Sequence, residues 1–192
     1  MANILLFHPI LGKRQFVLDT ASLFQKAGHQ VTLPDLFDGQ IFDDMDAANH
    51  YFQQLGFPEL VKRAMTAAAA LPNDLVYAGF SLGGVLAEML AARRPGARGC
   101  LLLHAGEPLA AFKLQAWPQG VPVQVHYSVG DPWREAGSVE SLGESVRAAQ
   151  ASFEYFQYEG TGHLFSDPTL ADYNPAAAQL MEQRLLEFLN KI

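Results

Sequence analysis

Ser81 lies in Gly79-Phe80-Ser81-Leu82-Gly83-Gly84, a G-x-S-x-G pattern. A serine flanked this way suits one chemistry well, nucleophilic attack from a sharp strand-to-helix turn. Such a turn needs small residues two places before and after the nucleophile, because side chains there would collide. The Leu82 amide then opens a helix, where its N–H can stabilise an oxyanion. Phosphate binding and a purely structural turn are the competing uses of this loop. The phosphate use lacks a Walker lysine and the Rossmann glycine spacing.

A serine hydroxyl is a weak nucleophile without a base and an acid to orient it. On strand-to-helix scaffolds of this kind the chain order is Ser, then Asp or Glu, then His. Asp131 in Val129-Gly130-Asp131-Pro132 and His163 in Gly160-Thr161-Gly162-His163 fit that order. Their bland readings are a loop-capping aspartate before proline and an ordinary loop histidine. His8 and His104 end earlier strands, and His126 reads as a hydrogen-bonded core residue. His29 and His50 have no strand end beside them. Glu107 is the rival acid, because it follows the fourth strand.

Six apolar runs supply strands to carry these residues: 3–8, 30–33, 75–80, 98–104, 122–129 and 153–158. Helical spacing recurs between them, at 14–27, 58–71, 82–94, 138–151 and 175–191. The alternation predicts βαβ units, a mainly parallel sheet and a three-layer α/β/α sandwich. Near-continuous apolar strands fit a sheet covered on both faces. Ligands of such sheets bind at the carboxyl ends of the strands, where Ser81, Asp131 and His163 all fall. Residues 34–57 read as irregular and residues 105–120 as mostly loop. No linker divides the chain, so residues 1–192 are expected to form a single domain.

The chain has 192 residues, with 20 acidic and 13 basic side chains. A net charge of −7 argues against nucleic acid as a partner, since phosphate binding needs a basic face. Its one cysteine, Cys100, excludes an internal disulfide and a multi-cysteine metal site. No run approaches a membrane span, and the N-terminus lacks signal-peptide character. The expectation is a cytoplasmic protein without membrane contact, monomeric or weakly dimeric, needing no metal or cofactor.

Taken together, these motifs resemble the dienelactone hydrolase family of α/β-hydrolases over nearly the whole chain. The resemblance rests on Pro9-Ile10-Leu11-Gly12 after the first strand, Pro34-Asp35-Leu36-Phe37, the Ser81 motif, Gly130-Asp131-Pro132 and Gly162-His163-Leu164-Phe165. It implies a minimal α/β-hydrolase core without a cap domain, and a second oxyanion donor in the Ile10 amide. It also implies hydrolysis of a small-molecule ester or lactone through an acyl-enzyme on Ser81. Three departures stand out. Ser81 replaces the family's cysteine, Pro9 stands where a glutamate is expected, and Asp167 stands where an arginine would hold a substrate carboxylate. A carboxylate repels a carboxylate, so neutral acyl groups are the expected substrates.

A thioesterase or acyltransferase using the same three residues is the alternative, as is a non-catalytic small-molecule binder that keeps the fold. Candidate pocket contacts are Phe37, Trp133 and Phe165, with Trp117 a further wall candidate. Phe42, Tyr51, Phe52 and Phe57 read mainly as anchors of the 34–57 segment, which is expected to overhang the site. Its five aspartates would place negative potential at the entrance. Lys13 and Arg14 could counter that negative field beside the oxyanion loop but read mainly as solvated residues at the start of the first helix, and Cys100 reads as inert core.

Overall fold

Apolar runs of five and six residues build the centre of the sheet. In the computed structural model, which describes residues 1–192, the strands are β1 (Asn3–Phe7), β2 (Gln30–Thr32), β3 (Leu75–Phe80), β4 (Gly99–Leu103), β5 (Val123–Ser128) and β6 (Phe153–Tyr158). Every pairing is parallel, and the spatial order is β2-β1-β3-β4-β5-β6. All residues of β3, β4 and β5 are buried. Such strands need cover on both faces, which explains why β3 and β4 carry apolar side chains at successive positions; β5 alternates, and its buried Gln124 and His126 bond to each other.

Helices α1 (Gln15–Lys26), α2 (Met45–Leu55), α3 (Phe57–Ala69), α4 (Leu82–Arg93), α5 (Ser138–Ala148) and α6 (Pro175–Leu189) complete the layers. A 3₁₀ turn spans Leu109–Phe112. None of these helices is long and apolar enough to cross a membrane. Helix α4 is buried on nearly all sides and packs on β1, β3 and β4. Helix α2 corrects the expectation of an irregular 34–57 segment. Asp44 caps it by accepting from the Asp46 and Ala47 amides, and Gly56 ends it with φ 78°.

The chain leaves β1 in one direction to make β2 and returns to the other side with β3. This reversal is the switch point at which open α/β sheets form clefts. The loop after β1 and the turn after β3 therefore lie side by side, with the loops after β4, β5 and β6 along the same edge.

Candidate active site

The turn between β3 and α4 holds Ser81 at φ 51° and ψ −118°, a conformation that L-residues rarely adopt. Its glycines answer to crowding. A methyl on Gly83 would sit 2.5 Å from the Phe7 and His8 carbonyl oxygens, and one on Gly79 would strike the Gly83 backbone. A methyl on Gly84 would strike the Ala105 side chain. The serine amide donates to the Leu103 carbonyl at 2.7 Å, which ties the strained residue to β4.

The structure brings Ser81, His163 and Asp131 into one hydrogen-bonded line. The Ser81 hydroxyl donates to His163 Nε2 at 2.8 Å, and His163 Nδ1 donates to Asp131 Oδ2 at 2.8 Å. Asp131 is further fixed by accepting the Trp133 amide at 2.8 Å. The loops carrying the acid and the base are bonded to each other. The Gly130 amide donates to the Gly160 carbonyl at 2.9 Å, and the Ser128 hydroxyl donates to the Gly162 carbonyl at 2.9 Å. Glu107, the rival acid, takes no part in this line. Its amide donates to Glu88 instead, and its side chain lines the cleft.

Ile10 and Leu82 both line the same cleft, and their amides donate to no acceptor within the protein. One comes from the β1 loop and the other is the first residue of α4, which leaves two backbone donors free beside Ser81. The loop that bears Ile10 is held by His8. Its Nδ1 donates to the Pro9 carbonyl at 2.8 Å, and its Nε2 accepts the Leu36 amide at 3.0 Å.

The pocket candidates separate. Trp133 lines the cleft and is 57% exposed. Phe37 does not line it. The ring is buried, edge-on to His8 at 5.0 Å and to Tyr51 at 5.2 Å, where it pins the loop after β2. Asp35 fixes that turn by accepting the Phe37 and Gly39 amides. Phe165 is likewise buried, packed edge-on beneath His104 at 4.7 Å. Trp117 is also buried, donating from Nε1 to the Val121 carbonyl before β5. In each case the ring is buried in the interior rather than set in the cleft wall. The cleft lining that sequence reasoning missed comprises Met45 and Asn49 on α2, Val85 on α4, His104 and Ala105 after β4, and Tyr127 in β5. Tyr127 lies near the carboxyl end of its strand, and Met45 and Asn49 have i,i+4 spacing. Those positions are the signals that could have found them.

Arg14 corrects another expectation. It is buried, and its Nε donates to Asp167 Oδ2 at 2.7 Å. It also donates to the Asp43 carboxylate at 2.8 Å, the Phe42 carbonyl at 2.5 Å and the Thr169 hydroxyl. Asp167 is only 1% exposed and faces Arg14 rather than the substrate. The loop aspartates are similarly engaged, Asp38 with Arg63 and Asp44 with its helix cap. Of the five, Asp43, paired with Arg14, is the one that lines the cleft.

Burial sets the charge of several neighbours. It pushes the Glu88 carboxyl well above the usual carboxylate range and the His104 imidazole well below its own. It also lowers His8, and it brings His126 down to about 3. His126 is, as expected, a hydrogen-bonded core residue. It accepts from the Tyr158 hydroxyl at 2.7 Å and donates to Gln124 Oε1 at 2.8 Å. A histidine lowered by folding binds fewer protons than in the unfolded chain, so its contribution to stability is lost as pH falls below about 6.5. Glu88, raised by folding, acts in the opposite sense and contributes most at low pH. Glu107 and Glu182 are raised in the same sense and His29 is lowered, so with four histidines against them the melting temperature is expected to drop by a few degrees between pH 7 and pH 5. Calorimetry across that range checks this, and a flat or rising curve would contradict it.

Comparisons with known proteins agree with this architecture. A family model described as the dienelactone hydrolase family matches residues 1–192. A curated relative from a Bradyrhizobium species is named a probable 2-oxo-3-(5-oxofuran-2-ylidene)propanoate lactonase. It is 28% identical over 169 residues, 83% of this chain, and the chain spans 62% of that relative's length. Among solved structures, a dienelactone hydrolase-like promiscuous phosphotriesterase from metagenomic libraries superposes with a TM-score of 0.81 at 17% identity, covering 100% of this chain and 86% of that one. A thermophilic esterase from Thermogutta terrifontis gives a TM-score of 0.68 at 15% identity, covering 99% and 83% respectively. Those two likenesses speak for the fold, and the family match spans every element described above. The chain belongs to the dienelactone hydrolase family.

Proposed function

We propose that the protein is a serine hydrolase that cleaves a carboxylic ester or lactone through an acyl-enzyme on Ser81. The observation that carries this reading is the unbroken hydrogen-bonded line from Ser81 through His163 to Asp131. His163 takes the Ser81 proton as the oxygen attacks the carbonyl carbon. Asp131 orients the imidazole and stabilises its cationic form. Charge developing on the carbonyl oxygen falls to the Ile10 and Leu82 amides. Donors already in place need no reorganisation, and each is typically worth about 3–4 kcal/mol. The protonated His163 then gives its proton to the leaving oxygen. A water activated by the same imidazole attacks the acyl-serine and releases the acid, restoring the free hydroxyl.

The relative's name supports a lactone as one substrate class, since lactones and esters present the same carbonyl to this machinery. That name also specifies a propanoate. The present cleft has Glu107 in its lining and no lysine or arginine, which favours a neutral acyl group. A fluorophosphonate probe is expected to modify Ser81 stoichiometrically, as read by peptide mass spectrometry, and to block turnover of short p-nitrophenyl esters. An unmodified Ser81 in protein that still hydrolyses those esters would overturn the assignment. Faster turnover of acyl thioesters than of esters and lactones would instead favour a thioesterase with the same three residues.

A further inference from the structure

The cleft has two compartments that meet at His163, Trp133 and Met45. The inner one, about 180 Å³, contains Ser81, Leu82 and Val85. The outer one, about 310 Å³, contains His163 but not Ser81, and is walled by Leu11, Pro132, Leu164 and Leu170. His163 must hand its proton to the departing oxygen, so the leaving group belongs on the outer side. The acyl group stays bonded to Ser81 and occupies the inner side. At about 30 Å³ per water, the inner volume holds about six waters, which suits a short acyl chain.

The inner lining is polar in a way the triad does not use. Glu107 is half-buried, and its carboxylate has no hydrogen-bond donor within the protein. The Tyr127 hydroxyl, also in this lining, likewise has no protein partner. His104 lines the same cavity at 2% exposure, with both ring nitrogens unpartnered. Buried polar groups are nearly always paired, so the unpaired His104, in a cavity that also presents the free Glu107 carboxylate and Tyr127 hydroxyl to solvent, marks a site that a ligand completes. The acceptor is a carboxylate and the clearest donor a phenol. A substrate hydroxyl, which both donates and accepts, answers both at once. A substrate carboxylate would instead meet Glu107, with Glu135 nearby.

We propose that the inner cavity is an acyl site selective for short chains bearing a hydroxyl group, with Glu107 accepting and Tyr127 donating the hydrogen bonds that recognise it. This selectivity rests on the serine-hydrolase reading above. It identifies Glu107, first considered as a rival acid for His163, as a specificity determinant.

The test compares kcat/KM for methyl 3-hydroxybutyrate, methyl butyrate and monomethyl succinate, followed by acid release in a pH-stat. The wild-type protein is expected to prefer the hydroxy ester over the butyrate by about tenfold or more, as one charge-assisted hydrogen bond allows. Monomethyl succinate is expected to fall about tenfold below the butyrate. Glu107→Gln should shrink the first ratio towards one and raise the succinate-to-butyrate ratio. Tyr127→Phe should shrink the first ratio and leave the second unchanged. Ratios between substrates cancel any general loss of folded protein, and the two variants provide independent readouts. A wild-type hydroxy-to-butyrate ratio near one, or a ratio that neither variant moves, overturns the selectivity while fluorophosphonate labelling of Ser81 keeps the hydrolase reading intact. No turnover of any ester together with no labelling sinks both.

Discussion

Ser81→Ala is expected to lower kcat/KM for a good ester by about 10⁴- to 10⁶-fold, the scale on which removal of a serine nucleophile acts. Its melting temperature should stay close to that of the wild type, because the lost hydroxyl bonds only to His163 in a partly open cleft. Ser81→Gly separates two properties of the same position. It should be equally inactive, yet melt about 2–4 °C higher. The backbone at φ 51° and ψ −118° is strained for any residue with a Cβ, at a cost of about 1–3 kcal/mol. Glycine removes that strain and loses about 0.5–1 kcal/mol of it to its more flexible unfolded chain. Roughly 1 kcal/mol of net gain corresponds to those few degrees in a chain of this size. Paired kinetics and calorimetry on the two variants check both parts. Residual activity within tenfold of wild type in the alanine variant would remove Ser81 from the chemistry. A glycine variant that melts lower would show that the turn carries no strain.

The second large effect lies at Arg14. Arg14→Ala leaves Asp167 buried with its charge uncompensated, and breaking a buried pair from one side typically costs about 3–5 kcal/mol. For this chain that is roughly a 10 °C fall in melting temperature. Activity should fall as well, because the same guanidinium joins the start of α1, the Asp43 loop and the segment that follows His163. Its neighbour offers an internal control, since Lys13 makes no ion pair and Lys13→Ala should shift the melting temperature by no more than about 1 °C. Removing both charges together, as Arg14→Met with Asp167→Leu, should recover most of the loss. Thermal melts of the three variants decide it. A loss of less than 1 kcal/mol in Arg14→Ala would mean that the clasp carries little of the stability.

Much of this architecture was legible because the central strands and the reactive residues follow one-dimensional rules. Continuous apolar runs marked β3 and β4, and Ser81, Asp131 and His163 each follow a strand end, where parallel sheets place ligands. Helix α2 was obscured by its own composition. Asp44 and Gly56 carry the usual start and stop signals, but Asp46, Asn49, His50, Gln53 and Gln54 between them read as polar loop. Arg14 was misplaced for a different reason. Its partner Asp167 lies 153 residues away, and no local pattern reveals a contact across that separation. Phe37 and Phe165 show a third limit. An aromatic beside a strand end looks the same in sequence whether it points into the cleft or into the core, and here Phe37 packs on His8 and Tyr51, and Phe165 on His104 and Tyr158.

The strand order also bears on synthesis. After β1 and β2 have paired, β3 adds beside β1, and each later strand adds to the edge left open by the one before it. A chain emerging from the ribosome can therefore extend its sheet vectorially, without prising apart strands already joined. Until β6 arrives, β5 presents an unpaired edge, which is the hazardous stage for self-association. The hydrolytic centre closes only at the end of this sequence, because His163 follows β6 in the chain. On the proposed mechanism, nascent chains stalled before β6 hold a nucleophile without its base and are expected to be inert towards esters.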